Sequence, residues 1–276
     1  RQKDVVRRFQ GEVEDLTSGT HGLELLRGEA RFNAPDAVTV TMADGSERTL
    51  KADRIFIDTG TRPHLPPIDG LDECGYLDNG GMLNLKELPG HLLIIGGGYI
   101  GLEFAQMYRR FGSAVTLLHS CEQLLCREDH DVARSVRNIL TAEGIAFHMK
   151  AEATKARREN GRIELEASTP DGTLRVTGTH LLVAAGRTPN TDRLGLAKAG
   201  IRTDGEGYIA VDERLETTAP GVYALGDVKG GPAFTHIAYD DYRIVRGRIL
   251  EGKDLSTSGR LVPYTLFIDP PLSRVG

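Results

Sequence analysis

The chain has 276 residues, 39% hydrophobic and 26% charged, with a formal net charge of −5 from 39 acidic residues against 34 Lys and Arg. No basic stripe interleaved with aromatics is present, which argues against a nucleic-acid or anionic-membrane partner, and no apolar run approaches the ~18–20 residues of a membrane-spanning helix. Three cysteines, Cys74, Cys121 and Cys126, are too few for a disulfide scaffold and fit a reducing compartment, so a cytoplasmic location is expected.

In chain order, residues 1 to about 26 read as a charged helical segment with a lead-in. Strands are expected at Leu25–Phe32, Ala37–Met42 and Glu47–Ala52, with Asp44-Gly45 as a hairpin turn. Arg54–Asp58 is a further strand that ends in Thr59-Gly60-Thr61-Arg62-Pro63. Residues 64–90, rich in Pro and Gly, read as a connection into a new unit. That unit opens with the apolar run His91–Ile95, which empties into Gly96-x-Gly98-x-x-Gly101. A helical pattern follows, with Ile100, Phe104, Met107, Tyr108 and Phe111 on one face and Gly112 as the stop.

Strand, glycine turn and helix in that order make a phosphate cradle for a dinucleotide. Gly96 permits the tight turn, Gly98 lets a pyrophosphate approach the backbone, and Gly101 lets helix and strand pack closely. The helix N-terminus adds unpaired N–H groups and a positive dipole end. About twenty positions on, an acidic residue usually holds the ribose hydroxyls. Here the second strand, Val115–Leu118, ends in His119-Ser120, and the carboxylate is missing. A second helix from about Asp129 to Glu143 turns Val132, Val136, Ile139 and Leu140 inward and stops at Gly144. A strand at Ala146–Glu152 leads to a meander turning at Asn160-Gly161 and Asp171-Gly172. His180–Ala184 is the exit strand, opening into Gly186-Arg187-Thr188-Pro189-Asn190, and Thr218–Asp227 lies near the end. There is no tandem repeat and no low-complexity tract.

Four segments together resemble one family, the flavin-dependent pyridine nucleotide–disulfide oxidoreductases. They are Ile57-Asp58-Thr59-Gly60, Gly96–Glu103, Ala185–Asn190 and Val222-Tyr-Ala-Leu-Gly-Asp227. Over 200–276, Phe234-Thr235, Asp240–Arg243 and Pro270–Gly276 are similar to a subgroup related to mercuric reductase that includes the reactive-chlorine-resistance flavoprotein. The resemblance implies an α/β architecture of FAD- and NAD(P)-binding Rossmann-like three-layer domains with β-meander crossovers, one inserted in the other. It places the FAD-binding domain at 1–75 and 189–258, the NAD(P)-binding domain at 76–188, and the start of a dimerisation domain at 259–276.

The resemblance also implies roles for residues. Asp227, after Gly226, would hydrogen-bond the flavin's ribityl chain. Thr59, Gly60 and Thr61 would let the backbone pass the adenosine half of FAD, Ala30 would contact adenine through its backbone, and Thr235 would lie near the flavin. Gly96, Gly97, Gly98, Ile100 and Gly101 would hold NAD(P)H. Tyr99 would cover the flavin until nicotinamide displaces it, with plain packing as the competing reading. Glu103 would pair with a lysine outside this chain, and Gly186 and Arg187 would line the nicotinamide side. His119 stands where an NAD-type site has Glu, and Ser120 near where an NADP-type site has Arg. Arg127 and His119 could tolerate a 2′-phosphate without forming an arginine clamp, so weakly discriminating use of NADH and NADPH is expected.

The family's first glycine fingerprint, its Cys-x4-Cys redox pair and its C-terminal His/Glu acid–base pair have no counterpart here. The chain therefore reads as the middle of a protein of roughly 450 residues, with no catalytic residue and no metal ligand expected in it. Cys121-Glu-Gln-Leu-Leu-Cys126 has the right spacing but follows the second strand of the nicotinamide unit and lacks the glycine, so two unpaired thiols are expected. The expected activity is FAD-mediated electron transfer from NAD(P)H to a small disulfide or metal-ion acceptor, in a protein that is a homodimer at full length. The alternatives are an oxidase or a quinone or peroxide reductase of the same fold, or a catalytically incomplete nicotinamide-binding core that holds FAD weakly or not at all.

Overall fold

Residues 2–275 are described by the structure, a computed structural model. The opening helix α1 (Gln2–Gly19) precedes an antiparallel hairpin sheet of β1 (Gly28–Ala34), β2 (Ala37–Met42) and β3 (Glu47–Lys51). β4 (Ile55–Ile57) and β5 (Thr61–Pro63) follow, then the short helices α2 (Leu71–Cys74) and α3 (Asn79–Asn84). Next come β6 (His91–Ile95), α4 (Tyr99–Phe111), β7 (Ala114–His119), α5 (His130–Ala142) and β8 (Ala146–Met149). The meander strands are β9 (Glu152–Glu159), β10 (Arg162–Thr169) and β11 (Gly172–Gly178), followed by β12 (His180–Val183) and β13 (Arg187–Pro189). β14 (Val222–Ala224), α6 (Thr235–Glu251), β15 (Tyr264–Leu266) and β16 (Leu272–Arg274) complete the order.

These elements divide into two units, between which the chain passes more than once. One comprises the segment through Thr59 with 190–231 and 238–257; the other comprises 60–189, 232–237 and the residues from Ser258 onward. In the first unit β14 pairs parallel to β4, and Ile57, Val222, Ala224 and Val228 share a core with Phe32 and Ile209.

The second unit holds a parallel sheet in the order β12-β6-β7-β8, and its layering follows from strand periodicity. Successive side chains of a strand point to opposite faces. Leu92 and Ile94 accordingly join Leu117, Leu102, Ala105, Val136 and Leu140 in one cluster with α4 and α5. Leu93 and Ile95 join Leu118, Leu181 and the meander residues Ile163, Leu165 and Ala167 in another. A sheet covered on both faces needs continuous apolar runs, and His91–Ile95 and Val115–Leu118 are such runs. Three layers result: helices, parallel sheet and antiparallel meander.

Two expectations are corrected. The stretch 64–90 is no plain connection, since it carries α2 and α3; Asp78 caps α3 by accepting the Gly81 N–H at 2.7 Å. Phe111 is 61% exposed, although the helical pattern puts it inward. It sits at the end of α4, and the buried face there is set instead by Leu102, Ala105 and Tyr108. No helix among the described residues is long and apolar enough to cross a membrane.

Leu117 has no exposed surface at the centre of the parallel sheet. Leu117→Ala is expected to cost about 2–5 kcal/mol, the usual range for a buried leucine leaving a cavity, read as a lower urea midpoint with an unchanged slope.

Candidate functional site

The C-terminal ends of four parallel strands converge on one cavity of about 480 Å³. Gly96–Gly98 follow β6, His119 and Ser120 close β7, Ala151–Ala153 follow β8, and Ala184–Arg187 follow β12. Ligands of open α/β sheets bind outside those carboxyl ends, and the volume is that of a small-molecule site.

The three glycines of the fingerprint have different physical surroundings. Gly96 has φ +112, and a Cβ there would lie 2.2 Å from the Ala184 carbonyl oxygen. A Cβ on Gly101 would lie 2.1 Å from the Gly96 oxygen, so only glycine lets helix and strand meet. A Cβ on Gly98 would meet nothing within 4 Å, because this position faces open space. Gly98 is also the N-cap of α4 and supplies no side-chain cap, which leaves the first-turn N–H groups to a ligand. A pyrophosphate fits this arrangement.

The loop behind the cradle is stitched to it. Gly97 donates its N–H to His119 Nδ1 at 3.1 Å, and its carbonyl accepts the Leu125 N–H at 3.0 Å. Burial holds the His119 imidazole below the ordinary histidine range, so the ring is neutral at neutral pH. Its Nε2 faces Cys126 Sγ at 3.1 Å. Ser120 is exposed at the cavity's edge, and Arg127 is exposed and not among the lining residues.

Tyr99 lines the cavity and packs at 5.3 Å from the Tyr264 ring and 6.0 Å from Phe234. Its hydroxyl donates to Glu128 Oε1 at 3.4 Å; Tyr264 donates to the same oxygen, and Arg274 binds the other carboxylate oxygen at 3.2 Å. Ile100 also borders the cavity, and Glu103 accepts the Phe267 N–H at 2.9 Å. Arg187 donates to Thr61, from Nε to Oγ1 at 2.9 Å and from Nη2 to the carbonyl at 2.7 Å, while Gly186 is exposed at the cavity. Thr235 begins α6 and is exposed, and Gly60 lies just before β5, which Thr61 opens.

In the first unit, Asp58 at the end of β4, Asp227 after β14 and Asp241 in α6 form an acidic group. Asp241 is fully buried; it accepts the Gly226 N–H at 3.0 Å and pairs with the buried Lys229 at 3.1 Å. Burial, then the Asp227 and Asp241 charges, push the Asp58 carboxyl above its ordinary range. Thr59 donates to the Asn190 carbonyl at 3.0 Å, and Ala30 is exposed on β1 opposite Val40.

Several lining residues went unread in the sequence. Glu152 and the segment Pro66–Ile68 border the cavity with His119. Reading Ala146–Glu152 as a third parallel strand carried the signal for Glu152, since its end falls where such cavities form. Nothing local marks Pro66–Ile68; tertiary packing brings it there. Lys229 and Asp241 were likewise unread as a pair, being twelve positions apart and joined only by the fold.

Comparison with known proteins adds independent findings. A profile described as pyridine nucleotide-disulphide oxidoreductase matches residues 2–241. The chain is 40% identical over 278 residues to the probable pyridine nucleotide-disulfide oxidoreductase RclA of Escherichia coli (strain K12), covering 100% of this chain and 62% of that protein. It is 36% identical over 272 residues to mercuric reductase of Streptomyces lividans, covering 99% of this chain and 57% of that protein. The solved Cu(II) complex of the HOCl-induced flavoprotein disulfide reductase RclA from Escherichia coli matches with TM-score 0.94 at 38% identity, covering 100% of this chain and 62% of that one. The chain thus spans about three-fifths of the length of these relatives.

Two outcomes follow from the geometry. Gly98→Ala leaves the melting temperature nearly unchanged, because its Cβ enters open space at an ordinary φ of −88. Gly101→Ala lowers it by several degrees, on the order of the 1–3 kcal/mol of an overpacked contact. For Asp58, a folded-state pKa above the unfolded one means that folding takes up a proton. Its stabilising contribution is complete below the ordinary aspartate range and is lost as pH rises through the raised value. Asp58→Asn is therefore expected to melt higher than the parent at neutral pH, with the advantage vanishing below pH ~4 in a pH series of thermal melts.

Proposed function

The chain belongs to the pyridine nucleotide-disulphide oxidoreductase family, and from that premise we propose that its protein passes electrons from NAD(P)H through FAD to a small disulfide or metal-ion acceptor. The observation that carries this reading is the cradle. Gly98 opens onto the cavity while Gly96 and Gly101 allow no side chain. We assign the nicotinamide dinucleotide to Gly96–Gly101 and the strand ends around them, within a domain at 76–188. We assign the flavin to the domain at 1–75 and 189–258.

In this reading the first-turn N–H groups of α4 bind the pyrophosphate, and Gly98 keeps the approach clear. Tyr99 borders the nicotinamide end; its ring, braced by Tyr264 and Phe234, moves aside or stacks. Asp227, half-buried after Gly226, accepts hydroxyl protons from a polyol, and Lys229 balances the buried charge of Asp241 beside it. Thr59, Gly60 and Thr61 form the turn along which the adenosine half of FAD would run. When bound, the flavin supplies the two-electron relay between nicotinamide and acceptor. The chain's own residues supply binding, orientation and electrostatics.

His119 is neutral and already occupied by Gly97, and Arg127 stands off the cavity, so neither reads a 2′-phosphate strongly. We propose weakly discriminating use of the two nicotinamides. Anaerobic titration of the FAD-loaded full-length protein is expected to bleach the flavin with both NADH and NADPH, with affinities within a hundredfold, or about 2.7 kcal/mol. Gly98→Val is expected to abolish the bleaching by both while retaining the fold. Bleaching that survives Gly98→Val, or a preference beyond a hundredfold, would count against the respective assignment.

A further inference from the structure

The loop that holds the glycine cradle from behind carries two thiols and an imidazole that the activity above does not use. His119 Nε2 or Nδ1, Cys121 Sγ and Cys126 Sγ offer ligand atoms that all lie within 4.8 Å of one another. The chain reverses at Leu125, which takes the left-handed conformation at φ 50, and that reversal returns Cys126 to Cys121. Both thiols are free; Cys126 is exposed and Cys121 partly so, leaving access from solvent. The third cysteine, Cys74, is buried elsewhere.

We propose that His119, Cys121 and Cys126 form a binding site for a thiophilic closed-shell cation of the Zn(II) class, and that its occupancy weakens dinucleotide binding at the adjoining cradle. The coupling to dinucleotide rests on the nicotinamide reading above; the cation site does not. Zinc takes sulfur at about 2.3 Å and imidazole nitrogen at about 2.0–2.1 Å, so two sulfurs and a nitrogen within the observed span close around it by side-chain rotation. Three protein ligands leave the fourth tetrahedral position open to water. The bound form needs two thiolates: each thiol gives its proton to solvent as its sulfur–metal bond forms, and no oxidant or reductant is involved.

The link to the cradle is a matter of one proton. Nδ1 of His119 accepts the Gly97 N–H, so the neutral ring carries its proton on Nε2, facing Cys126. A cation on Nε2 displaces that proton. It moves to Nδ1, where it confronts the Gly97 N–H donor-to-donor, and the bond holding the glycine loop is lost. Gly97 cannot escape this, because its other face is held by Leu125 from the same loop and any added bulk would strike Leu124 and His119. The cation and the pyrophosphate thus compete through the Gly97 peptide.

The test uses the full-length protein, reduced and dialysed against Zn(II), with zinc per chain measured by mass spectrometry and NADH affinity by titration. The unaltered protein is expected to hold one zinc per chain more than C121S/C126S, while C74S holds as much as the parent. Zinc is expected to weaken NADH binding at least tenfold in the parent and to leave the double variant unchanged; circular dichroism checks that the variants fold, and C121S and C126S singly serve as backup variants. Equal zinc in parent and double variant, including the case where the two thiols are recovered as a disulfide, overturns the site. Extra zinc with unaltered NADH affinity overturns the coupling. If metal-free parent binds no NADH, the nicotinamide reading fails, and the zinc difference alone still decides the site.

Discussion

The contact between Gly101 and the Gly96 carbonyl is the constraint from which the rest of the second unit follows. A methyl group at Gly101 would have to sit 2.1 Å from that oxygen, so the helix lies against the strand only because there is no side chain. This closeness aims the first turn of α4 at the cavity. It also lets Leu102 and Ala105 bury fully against Leu92, Ile94 and Leu117. Packing and function share one geometric condition. The helix that completes the core is the helix whose N-terminus faces the cavity.

Electrostatics divides differently between the two units. Glu152 and Arg187 border the cradle cavity, and Arg187 bonds Thr61. His119 is held neutral by burial, and the N-terminus of α4 adds the positive end of a helix dipole. In the first unit three carboxylates gather near the end of β4, with Lys229 buried against Asp241. A buried ion pair contributes little net stability but costs a great deal when one partner is removed. Its value here is positional: Asp241 accepts the Gly226 N–H and so fixes the turn that presents Asp227.

The loop 119–128 joins these themes. It supports Gly97 from both its N–H and its carbonyl, and it also carries the thiols and the neutral imidazole. A site built on the same peptide as the cradle cannot change its proton arrangement without the cradle registering it. That is a short route for coupling, running through one hydrogen bond rather than a long chain of contacts.

By itself the sequence determined the strand–glycine–helix unit, the second helix, the meander and the exit strand, because these depend on local periodicity and on glycines that local sterics demand. The apolar runs His91–Ile95 and Val115–Leu118 read as strands from their length and the glycine turn that follows the first, and the fold covers them on both faces. What only the tertiary structure decided was where side chains distant in the chain meet. The short helices of 64–90 draw their stability from packing of Leu71, Cys74 and Met82 rather than from their own length. Phe111 lies outside the buried face because that face is chosen by a helix's neighbours, and in the last turn they cover Tyr108, which donates to the Met82 carbonyl, and leave Phe111 exposed. The engagement of His119 with Gly97 and Cys126, and of Asp241 with Lys229, is likewise absent from any spacing rule. Periodicity reports on which face a residue shares, whereas a hydrogen bond or a ligand cluster depends on distances that arise only when separate elements are packed together.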